Sequence, residues 1–113
     1  MPIKYLGGES TGVELTVYET RYVNVTNEAV TPTSAFEGDT VTYTATVLDD
    51  AGEALPSSFK VSLKINGTTV ISEQELTSDV YDPSTGELTL EFTVPELGAG
   101  TFTVKLTWET QVI

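Results

Sequence analysis

The sequence has no cysteine and no histidine. Without cysteine there are no disulfides and no thiolate metal sites, and the redox compartment is unreadable. Without histidine the usual general base is missing, and with it the commonest metal ligand and every Ser-His or Cys-His arrangement. An enzyme is therefore not expected. Basic residues are scarce: 5 Lys and Arg stand against 17 Asp and Glu, for a net charge of −12. Phosphate backbones are bound by clusters of Lys and Arg, so a nucleic-acid partner is not expected. The same scarcity argues against anionic membrane surfaces. No apolar run approaches the length of a membrane-spanning helix. The opening MPIKYLGGES lacks the apolar segment of a secretory signal. The acidic excess reads first as solubility through self-repulsion.

What the chain has in abundance is alternation. From Thr40 to Leu48, Val41, Tyr43, Ala45 and Val47 fall on one face, and Thr40, Thr42, Thr44 and Thr46 on the other. A period of two marks a strand with one buried and one wet face. Phe59, Val61, Leu63 and Ile65 repeat the pattern, as do Leu88, Leu90, Phe92 and Val94, and Phe102, Val104, Leu106 and Trp108. Asn66-Gly67 predicts a tight hairpin. Asp49, Asp50 and Gly52 predict a turn, and Asp82 to Gly86 another. Leu76 and Val80 are the expected buried anchors of a less regular segment. Pro32 is expected to end an edge piece near Val30. No helix is predicted. Short strands separated by turns indicate an all-β Ig-like Greek-key sandwich of about seven to eight strands. Trp108 is expected to cap its core.

The N-terminal region is different. Residues 1–12 predict an extended arm, loosened by Gly7, Gly8 and Gly12, and residues 13–113 the sandwich. Val13 to Thr26 is a run about twice the length of an ordinary strand. It is expected to bend, to pass between sheets, or to project beyond the domain.

GDTVTYTATVLDDAGEALP resembles the opening strands of bacterial Ig-like domains of the invasin and intimin type, repeated in adhesins. GAGTFTVKLTW is similar to their last strand. The resemblance spans roughly Ala29 to Trp108. It implies an Ig-like module on a cell surface.

Several groups are candidate sites. Asp49, Asp50 and Glu53 are carboxylates in one loop, the hard oxygen ligands that Ca²⁺ takes; the alternative is ordinary turn chemistry. No other cofactor is expected. Tyr18, Tyr22 and Tyr81 offer flat rings for stacking carbohydrate, or else packing at a core or interface. Glu73 and Glu75 pair carboxylates, but on an exposed strand with no pocket to separate their pKa values. The Thr row on the outer face reads as β-branched residues suited to a half-exposed strand. Asn24-Val25-Thr26 and Asn66-Gly67-Thr68 are glycosylation sequons, relevant only on secretion. Ile3, Tyr5, Leu6, Tyr18 and Tyr22 are the expected partner-binding residues, because an unpaired apolar strand invites strand addition. The expected function is a structural protein acting through protein contacts, with itself or a larger assembly. It would sit on a virion, as a capsid decoration or tail component, or on a cell surface, as an adhesin or filament subunit. The alternative is a carbohydrate- or calcium-binding module of a secreted protein.

Overall fold

A computed structural model describes residues 1–113. It contains seven strands and no helix. These are β1 (Val23–Thr31), β2 (Thr40–Asp49), β3 (Lys60–Ile65), β4 (Thr68–Glu75), β5 (Tyr81–Asp82), β6 (Glu87–Thr93) and β7 (Val104–Thr107). One sheet has the order β1-β2-β6-β5 and the other β4-β3-β7. Every pairing is antiparallel. The two antiparallel sheets make a β-sandwich.

The alternation explains the layers. Val41, Tyr43, Ala45 and Val47 of β2, Val61, Leu63 and Ile65 of β3, and Leu88, Leu90 and Phe92 of β6 are all buried. Phe59, Leu76, Tyr81 and Leu106 complete the same inner layer. Asn66 and Gly67, both at positive φ, close the β3–β4 hairpin as the sequence predicts. Gly86, also at positive φ, lets the β5–β6 turn pass close to Leu48 and the Val47 carbonyl.

Trp108 does not cap the core. β7 ends at Thr107, and Trp108 is 37% exposed beside Lys60 and Ser62 on the outer face of its sheet. The inward alternation stops where the ladder with β3 stops, at Ser62–Thr107.

The extended segment runs past Gly12 to Tyr22, because Val13 to Tyr22 pair with no strand. Projection is thus the outcome of the three open for the long run. The molecule measures 89 × 32 × 19 Å, with a radius of gyration of 22.8 Å. A compact chain of this length would have a radius of about 13 Å, so the arm sets the shape.

Candidate functional site

The arm leaves the sandwich at a clamp. Asp49 is the fifth inward-facing residue of β2 and only 7% exposed. A carboxylate at an inward position requires partners. Its Oδ1 accepts from the Ala51 and Glu53 amides, each at 2.9 Å. Its Oδ2 accepts from Arg21 Nη1 at 2.8 Å, which also reaches Glu53 at 2.8 Å. Arg21 Nε donates to Glu19. The Asp50 amide donates to the Tyr22 carbonyl at 2.9 Å. The Arg21 hydrogen bond, aided by the Glu53 amide, holds the Asp49 carboxyl below its ordinary value. Three carboxylates, Glu53 foremost, push the Arg21 guanidinium further up. The loop carrying Asp49 is itself tied to the core. Tyr81 Oη donates to the Val47 carbonyl at 2.6 Å and accepts from the Leu55 amide at 3.2 Å.

This geometry revises two site readings. Asp49, Asp50 and Glu53 do not converge as a metal-ligating group. Asp49 and Glu53 share Arg21, while Asp50 contributes its backbone amide. Tyr81 is buried, so it joins no platform with Tyr18 and Tyr22. Glu73 and Glu75 are exposed on β4. An inward run ending before Asp49 gives no sign of the clamp. Carrying the same period one step further places Asp49 inside and demands a cation.

Beyond the clamp, Ile3, Tyr5, Leu6, Tyr18 and Tyr22 are all exposed, as are Val13, Leu15 and Val17. None reaches the core. From Met1 to Val17 the arm is thus an extended segment that pairs with no strand.

The sandwich has a matching feature. β1 pairs only with β2, and β7 only with β3. No strand pairs with the outer edge of either, so no ladder joins the two sheets along this side, their seam. Val23, Val25 and Val30 of β1 and Val104 of β7 are only half-buried there, though packed on the core. A cleft of about 280 Å³ at one end is lined by Val30, Phe92, Phe102 and Val104. A second, of about 370 Å³, lies at the other end between Val23, Phe59 and Val112, beside the arm base. A third depression, on the outer face of the β3 sheet, is polar and lined by Lys60, Lys64 and Glu73.

No helix of the structure is long and apolar enough to cross a membrane. In comparisons with known proteins, no family model, no curated protein and no solved structure matches the chain.

Proposed function

We propose that the protein is a non-enzymatic structural subunit, an Ig-like module that acts through protein–protein contacts made by its N-terminal arm. One observation carries this reading. Twenty-two residues, Met1–Tyr22, stand outside both sheets and expose nine large apolar side chains. Contiguous exposed apolar surface marks an interaction site. Its base is fixed by Arg21 and Tyr22, so the arm is presented rather than frayed. The settings that suit such a subunit are a virion, as a decoration or tail component, and a cell surface, as an adhesin or filament subunit. The second is where the invasin-type resemblance points.

Light scattering on the full chain across a concentration series tests the reading. Assembly is expected to grow with concentration, and deletion of residues 1–12 or charge placed on the arm is expected to reduce it. A strictly monomeric full chain at millimolar concentration, or assembly indifferent to every arm change, would sink the proposal. Calcium titration and a glycan array are expected to be silent.

A further inference from the structure

The arm and the seam complement each other. The outer edge of β7 offers unpaired backbone groups, which a strand must cover or a neighbour will. Inward from that edge, Phe102, Val104 and Leu106 alternate toward the seam, and the first two line the smaller cleft. The arm carries the same period: Val13, Leu15 and Val17 are 97%, 84% and 79% exposed. Between them stand Glu14 and Thr16. Three of the chain's five cations, Lys60, Lys64 and Lys105, lie on β3 and β7 with outward-facing positions, and none is in an ion pair. A strand bearing an outward Glu suits that edge.

The orientation follows from the poles of the seam. Val23 shares a cleft with Val112, and Val30 shares one with Val104. β1 and β7 therefore run in opposite directions across it. A strand added antiparallel to β7, like every other pairing in the molecule, runs alongside β1. Its C-terminal end lies at the Val30 pole. The chain's own arm cannot do this. Arg21 is pinned at the Val23 pole by Asp49. Four chain steps separate it from Val17, at most about 14 Å. β1, with nine residues, spans about 27 Å at strand rise.

Resting on the assembly reading above, we infer that residues 13–17 of one copy add to the outer edge of β7 in a second copy and fill its open seam. Pairing Glu14 with Lys105 sets the register. Val13 then lies beside Leu106, Leu15 beside Val104, and Val17 beside Phe102. The donor's clamp pole faces the acceptor's Val30 pole. Because the two poles differ, the contact is heterologous and propagates as an open head-to-tail filament rather than closing as a two-fold dimer.

The absence of native cysteine permits a direct test on the full chain. L15C and V104C are made singly and together, both at positions that are not fully buried. Oxidising a mixture of the single variants is expected to give a 15–104 bond between chains, located by peptide mass. The double variant is expected to give a ladder of covalent oligomers. L15D is expected to lower the assembled fraction at least tenfold. A disulfide-closed monomer from the double variant would overturn the inference, because the arm would then fill its own seam. So would loss of assembly in L15D with no 15–104 bond, a result that leaves arm-driven assembly standing and moves its docking surface elsewhere. A full chain that never assembles overturns both.

Discussion

Replacing Tyr81 by Phe removes one oxygen and tests how the arm base is held. The Tyr81 hydroxyl ties β2 to the loop from Asp49 to Pro56, whose Leu55 side chain also packs in the core. The hydroxyl donates to the Val47 carbonyl and accepts from the Leu55 amide. Both partners sit on buried residues. A buried polar group left without a partner costs about 1–3 kcal/mol. The longer bond to Leu55 contributes toward the low end, so the pair together is worth about 2–4 kcal/mol. A domain of this size loses about 4–8 °C of Tm per kcal/mol. Y81F should therefore melt about 10–25 °C below the wild type by calorimetry. Its urea midpoint should fall with the slope unchanged, because the surface exposed on unfolding is the same. A second readout follows the chain outward. Leu55 anchors the loop that carries Glu53, and Glu53 and Asp49 hold Arg21. Trypsin should cut after Arg21 faster in Y81F under native conditions. A loss of stability below about 0.5 kcal/mol, the range of neutral surface changes, would refute the reasoning. So would unchanged cleavage at Arg21.

The remaining expectations concern pH and packing. Asp49 and Asp82 are held below their ordinary carboxylate value, Asp49 chiefly by Arg21 and Asp82 chiefly by Ser84. A depressed carboxyl stabilises the fold above its unfolded value of 3.8 and loses that contribution as pH falls through the folded value. Chemical denaturation from pH 6 to 2 should show that loss, and D49N should flatten it. Tyr43 behaves oppositely at the alkaline end: burial and the Glu28 carboxylate raise its phenol above 10.0. Stability should then fall as pH climbs past that value, and titration followed residue by residue should find Tyr43 still protonated after the exposed tyrosines have ionised. Val47 is fully buried, whereas Val25 faces the open seam. Losing two buried carbons costs about 1.6 kcal/mol before any cavity term; V47A should cost about 2–3 kcal/mol in urea titrations, and V25A under about 1 kcal/mol. G86A should lose about 1–3 kcal/mol through its positive φ, and more through contact, because an added Cβ would lie 2.5 Å from Leu48 Cδ2.

Most of the sandwich was legible because burial on a strand has a period of two, and a period is a local property. The alternation in Thr40–Leu48, Phe59–Ile65 and Leu88–Val94 named the inner layer residue by residue. Asn66-Gly67 named the hairpin, because few residues adopt two successive positive φ angles. The failures share a different cause. Trp108 continues the periodic run but lies beyond the last ladder pair, and only a partner strand decides where alternation ends. For Tyr81 the sequence leaves stacking and packing both open; β6 and the loop it anchors decide for packing in the core. Asp49 and Arg21 are 28 residues apart, and no local rule joins them.

By itself, then, the sequence determined the all-β class, the inner faces of the central strands and the exclusion of thiol and imidazole chemistry. Those follow from residue type and short-range spacing. Tertiary structure decided which edges remain unpaired, where the arm leaves and which carboxylates serve its clamp. Each of these depends on what one segment finds opposite it in space. The same alternation that buries Val41 to Val47 leaves Val13 to Val17 bare, because β2 has neighbours on both sides and the arm has none within the chain.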